Sequence, residues 1–246
     1  MKTAKIALVL IASLVTAAAG ATPINGSSLQ RALNNLTYGS ADGHVDADFR
    51  DVNTSQTGAD QVWNMADTSI GTNRLLFEFA GARHANSFGI YDIYDPNNRL
   101  QIFNGAASSG AASILYGQGN QFAAIGMPFA GGSVTVATFA TRAFGFYLQG
   151  PGGTFFSQDN RNAGDANQMI AFRGNGSEYL DVNGQINRFS GGAYILAWED
   201  LAFNRSDNDY NDFVVMVTGV TAVPAPGALA LLGLALVGFG AARRRA

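Results

Sequence analysis

From about Ser27 to Val220 the chain is a succession of short apolar runs broken at close intervals by Gly, Asn and Asp. Runs of this length, bounded by such residues, read as β-strands. They include Leu75–Phe79, Ser87–Tyr94, Ser133–Thr138, Phe144–Leu148, Gln168–Phe172, Ala193–Trp198 and Asp212–Val220. Two more, Glu178–Val182 and Gln185–Phe189, flank Asn183-Gly184, a strong short-range hairpin signal. One segment departs from the pattern. Leu29, Leu33 and Leu36 recur at helical spacing behind Ser27, a candidate N-cap, and predict one short helix. No fixed-period repeat is present, which argues against a solenoid or propeller. The expected fold is all-β, a sandwich or jelly-roll-like antiparallel domain with a short N-terminal helix.

The 246 residues are 47% hydrophobic but only 13% charged, and they include no cysteine. Such a chain forms a sizeable core without disulfides and offers neither a thiolate metal site nor a cysteine nucleophile. Charge is unevenly placed. Lys2 and Lys5 lie at one end and Arg243, Arg244 and Arg245 at the other, with no acid in either end segment. The middle keeps ten of the 15 basic residues against all 18 acids, a balance of −8, and contains no lysine. That field repels nucleic acid.

Both ends read as processing segments. Lys2 and Lys5, the apolar Ile6–Val15, and Ala19-Gly20-Ala21 form a signal peptide over residues 1–21, with Ala19 and Ala21 at the small-residue positions before the cut. The mature chain is expected to begin at Thr22. The exported β-rich domain occupies 22–222. In 223–246, Pro224-Ala225-Pro226 breaks the chain, an apolar run follows from Ala228 to Ala242, and the three arginines close it. This run is just able to span a bilayer, with the arginines on the cytoplasmic side. The tail resembles the PEP-CTERM sorting signal of Gram-negative bacteria, with Ala225 standing where the family name implies Glu. The resemblance implies recognition by an exosortase, a membrane cysteine transpeptidase, at Pro224, Ala225, Pro226 and Arg243–Arg245. It also implies transient anchoring in the inner membrane, then delivery to the cell surface or extracellular matrix.

Trp198–Asp212 concentrates the remaining chemistry: five carboxylates and three asparagines in fifteen residues. Crowded carboxylates repel unless a cation or hydrogen bonds compensate, and calcium takes six to eight oxygens from such groups. Glu199, Asp200, Asp207, Asp209, Asn211 and Asp212 are the candidate ligands. Asp207, Asp209 and Asn211 match the opening of an EF-hand loop, but Asp212 replaces its glycine and Thr218 its terminal glutamate, so the loop is not an EF-hand. An equally weighted reading makes these residues turn formers that cap backbone groups. A second acidic patch, Asp42, Asp46, Asp48 and Asp51, is a candidate to join the first. Trp198 and Phe203 are expected to pack as core or loop plugs.

Trp198-Glu199-Asp200, then Ser206–Asp212 and the Phe213–Val217 strand, resemble the signature of the domain of unknown function 4114 family. Asn86–Asp92, Phe146–Leu148 and Phe155–Ser157 extend the likeness to about residues 75–220. The family implies an all-β exported module and supplies no reaction. No Gly-x-Ser-x-Gly elbow occurs, and His44 and His84 read as surface or loop residues rather than catalytic bases. The sequence therefore reads as a non-enzymatic, structural or adhesive protein of biofilm or exopolysaccharide, with the acidic loop open either to calcium or to turn formation. Its expected partners are the exosortase and extracellular polysaccharide or other matrix components. The alternative is a calcium-dependent carbohydrate-binding module, for which the aromatic residues Trp63, Trp198, Tyr91, Tyr94, Tyr116 and Tyr147 are available. A secreted hydrolase ranks below both.

Overall fold

The computed structural model describes residues 21–58, 60–79, 86–126, 134–182 and 184–223. Helix α1 (Ser28–Asn34) precedes strands β1 (Thr37–Tyr38), β2 (Val62–Met65), β3 (Ser69–Phe77), β4 (Ser87–Asp92) and β5 (Asp95–Phe103). Next come β6 (Ala112–Gln118), β7 (Gln121–Gly126), β8 (Val134–Thr138), β9 (Ala143–Gly150) and β10 (Gly153–Phe156). Two short 3-10 turns, Asp159–Arg161 and Ala163–Asp165, lead to β11 (Met169–Arg173). The chain then forms β12 (Tyr179–Val182), β13 (Gln185–Arg188), β14 (Ala193–Trp198), β15 (Phe213–Thr218) and β16 (Val220–Val223).

The strands form three antiparallel sheets. The largest runs β11-β14-β15-β3-β6-β7-β8. A second runs β16-β2-β9-β4-β5, with β10 pairing the far half of β9. The smallest runs β1-β12-β13. Pro96 lies in β5, at the edge of its sheet, where a missing N–H costs no ladder bond.

Strand alternation assigns each side chain to one of two cores. In β14 and β15, Tyr194, Leu196, Trp198, Phe213, Val215 and Val217 face the second sheet, packing with Trp63, Phe88, Phe144, Phe146 and Leu148. Their neighbours Ile195, Ala197, Val214 and Met216 face the other way, onto Leu29 and Leu33 of α1, Phe49, Val52, and Leu180 and Val182 of the small sheet. The central strands are thus buried on both faces, and the molecule has three layers where a two-sheet sandwich or jelly roll was expected. Trp63 and Trp198 are the largest fully buried side chains among the described residues; the Trp63 ring meets Phe146 and Tyr194 edge-on at 5.4 and 4.8 Å.

The short helix is present, but Ser27 makes no side-chain capping bond. β12 and β13 pair as the expected hairpin, with Val182 opposite Gln185; Asn183 itself lies outside the described residues. Two expectations are corrected. Asp212–Val220 is not one strand: Gly219, at φ 72°, breaks it, so that β15 belongs to the large sheet and β16 crosses to the second. Val223 pairs with Val62, so the β-domain runs at least one residue past the expected boundary at 222. Among the described residues no helix is long and apolar enough to cross a membrane. The signal-peptide residues through Gly20 and the tail from Pro224 lie outside the described residues, as does His84.

Candidate functional site

The acidic loop connects β14 to β15, two central strands whose burial fixes both of its ends. Glu199 follows β14 directly and is fully buried. Its Oε1 accepts a 2.5 Å bond from the Tyr210 amide, and its Oε2 accepts the Ser206 hydroxyl. Asn208 and Tyr210 stand at φ 59° and 55°, a left-handed conformation that non-glycine residues adopt only when their surroundings hold them there. The buried Tyr210 supplies that hold, donating its hydroxyl to the Asn167 carbonyl at 2.7 Å.

These turns bring Glu199, Asp207 and Asp209 together, with one carboxylate oxygen of each inside 4.8 Å of the other two. The other three candidates are placed differently. Asn211 and Asp212 line a cleft of about 580 Å³ with Asp207, Asp209, and Ser28 and Arg31 of α1; Glu199 is not part of its lining. Asn211 donates its side-chain amide to Asp209 Oδ2, and Asp212 Oδ2 accepts the Asp200 amide at 3.0 Å. Asp200 does not join the cluster; its carboxylate faces Asn86, whose Nδ2 lies 3.1 Å from Oδ2.

Crowding shows in the electrostatics. Burial raises the Glu199 carboxyl above its usual value and Asp207 and Asp209 add to the rise, against the lowering effect of the Ser206 and Tyr210 bonds. Burial, then the neighbouring carboxylates Asp200, Glu199 and Asp207, pushes Asp212 up to about 8.

Nothing in the sequence pattern points to the groups that strap this loop. Ser28 donates its hydroxyl to Asp209 Oδ2 at 2.7 Å. Asn25 donates its backbone amide to the Asn208 carbonyl and its side-chain amide to the Asp207 carbonyl, each at 2.8 Å. Asn25 opens an Asn-x-Ser triplet and Ser28 lies in no motif, and neither fact points to this loop; topology alone brings them some 180 positions along the chain.

The second acidic patch does not enter the cluster. Asp51 caps the amides of Asn53 and Thr54, Asp42 accepts from Ser40 and His44, and Asp48 accepts from Asn34. Trp198 is fully buried as expected, whereas Phe203 is exposed and plugs nothing. Trp63, Tyr91 and Tyr147 are buried too, leaving Tyr94 as the exposed member of that aromatic set at 70%.

The family described as a domain of unknown function (DUF4114) matches residues 110–220, and the PEP-CTERM protein-sorting motif matches residues 222–245. The chain carries a DUF4114 region and a PEP-CTERM tail. No curated protein and no solved structure matches it. The DUF4114 match starts at Gly110, not near residue 75, so Asn86–Asp92 falls outside it. All six candidate ligands lie within the DUF4114 region. The strapping residues Asn25 and Ser28 do not, and neither do β2, β3 and β4, which complete the sheets around it. The PEP-CTERM motif points to an exported protein processed by an exosortase.

Proposed function

We propose that the protein is a structural or adhesive component of the cell surface or extracellular matrix. In this reading it is not an enzyme. It takes calcium on the β14–β15 loop and loses its tail to the exosortase. The observation that carries the calcium reading is the convergence of Glu199, Asp207 and Asp209 on a strapped loop. Three carboxylate oxygens this close suit a shared ion bound at 2.3–2.6 Å. Asn211 and Asp212 line a cleft with two of these carboxylates, Asp207 and Asp209, and the buried Asn208 Oδ1 has no hydrogen-bond partner among the described residues. Calcium would hold the loop rigid and offset the repulsion among its carboxylates. Final delivery to biofilm or exopolysaccharide, after transient anchoring in the inner membrane, belongs to the same proposal.

Thermal melts with calcium and with a chelator test it. A ligand that binds only the folded state stabilises by about 2.7 kcal/mol at a hundredfold excess over Kd, and the midpoint of a domain this size then rises by several degrees. Asp209→Ala should abolish that rise. An unmoved midpoint at millimolar calcium leaves the loop a hydrogen-bonded turn. Delivery has its own test: replacing Arg243–Arg245 with uncharged residues should impair sorting, and unchanged surface delivery counts against the exosortase reading.

One observation favours the carbohydrate-binding alternative. Phe79, 54% exposed, lines the acidic cleft and puts an aromatic side chain beside it. Calcium-dependent retention on a glycan array, lost in Phe79→Ala, would establish that reading over a purely structural one.

A further inference from the structure

A second polar cavity, of about 430 Å³, lies where the β-domain begins, and Ala21 and Thr22 help to line it. Residue 22 is clamped there from three directions. Its amide donates to Gln56 Oε1, its carbonyl accepts from Gln56 Nε2, and its hydroxyl accepts from Asn167 Nδ2, all at 2.8 Å. Asp60 and Asp159 line the same cavity, and among the described residues no basic side chain does. Arg161, the nearest arginine in sequence, is turned away, donating to Gln158 Oε1 and the Ile93 carbonyl. Asp159 Oδ2 accepts only a neutral donor, Gln61 Nε2 at 2.7 Å. Two carboxylates therefore share a cavity to which Thr22 contributes and in which no described residue supplies a cation.

We infer that this cavity is the docking site of the mature N-terminus, with the α-ammonium group of Thr22 as the cation between Asp60 and Asp159. The inference rests on the reading of residues 1–21 as a signal peptide. Hydrolysis of the Ala21–Thr22 bond leaves a carboxylate on the departing leader. It leaves a protonated amine on Thr22, with three donors where the amide had one. Gln56 Oε1 already takes one of them. Removing Ala21 also opens the cavity at that nitrogen. Burial and then Asp159 raise Asp60 to about 7, and burial and then Asp165 raise Asp159 to about 6, so a neighbouring cation would favour the ionised form of both.

Docking reaches the acidic loop through one short segment. From the clamped Thr22, the Ile24 amide donates to Asn53 Oδ1 at 3.0 Å, Asn25 bonds the carbonyls of Asp207 and Asn208, and Ser28 bonds Asp209. The docked Thr22 and the strap over the candidate cation loop thus belong to one continuous segment.

The chain is well suited to the test. Lys2 and Lys5 are its two lysines and both precede the cut, so the Thr22 amine is the single primary amine of the mature protein. The exported full chain is labelled near pH 7.5 with an amine-reactive ester, native and in urea, and the N-terminal peptide is read by mass spectrometry. Each unit by which carboxylates raise the amine's pKa cuts the reactive fraction tenfold. Native labelling is expected to be at least about tenfold slower than in urea, with Asp60→Asn and Asp159→Asn each restoring part of the rate and together most of it. Protection that survives both isosteric variants means plain burial and overturns the proposal, as does native labelling at the urea rate. The same spectra identify the first residue: a start other than Thr22 overturns the cleavage reading, whereas a Thr22 start without carboxylate-dependent protection overturns the docking alone.

Discussion

At the scale of single residues, the β4–β9 pair shows how tightly this sequence is fitted. Gly89 faces Tyr147 across the ladder, and Tyr91 faces Gly145. Each tyrosine ring lies over the opposite glycine, so a Cβ built on Gly145 would stand 2.3 Å from the Tyr91 ring. Phe88, Ile90, Phe144, Phe146 and Leu148, on the other face of the same strands, fill the core between the two large sheets. Gly145→Ala must displace a fully buried ring and is expected to cost about 1–3 kcal/mol in urea denaturation. Gly192→Ala meets nothing within 4 Å and should fall within about 0.5 kcal/mol of the parent. Equal effects would refute the close-packing account. The alternation Phe-Gly-Ile-Tyr against Phe-Gly-Phe-Tyr was legible as two strands. That the glycines serve the facing tyrosines was not, because register is a relation between segments and no single run carries it.

At the scale of elements, what the sequence disclosed follows burial. β14 and β15 are buried on both faces and read as unbroken apolar runs, so both were legible. β5 was not, since Asp95-Pro96-Asn97-Asn98 opens it in a polar stretch that an edge position tolerates. The polar half of β3, Ser69–Arg74, and the half-exposed β7 escaped for the same reason: one face or one end meets solvent, and the apolar count falls below that of a strand. Half the candidate site was visible as a cluster of acids, whereas its strap by α1 and Asn25 was hidden in chain topology. The β15–β16 crossing was hidden by a single residue. Gly219 sits at φ 72°, and a Cβ there would lie 2.6 Å from the Ile70 carbonyl oxygen. Gly219→Ala is expected to lose at least about 1–2 kcal/mol, because the left-handed conformation and the contact act together. Unchanged stability would mean that the chain crosses between sheets without needing glycine there.

At the scale of the whole molecule, processing and stability become one question. Before the leader is cut, Asp60 and Asp159 have folded-state values of about 7 and 6, above the ordinary 3.8. The folded state then holds protons that the unfolded state releases, so their contribution to stability is full below about pH 4 and is lost as pH rises through 6 to 7. Asp165 deepens the loss by its charge on Asp159, Arg161 is committed elsewhere, and Tyr210, nearby, stays neutral throughout this range. An ammonium group at Thr22 favours the ionised carboxylates and works against the fall. Urea midpoints measured from pH 4 to 8 should therefore decline more steeply for a chain that retains Ala21 than for the one that begins at Thr22. Parallel profiles would place the mature amine outside the cavity. A steeper decline confined to the Ala21 form would make removal of the leader a stabilising step at the neutral pH where an exported protein has to persist.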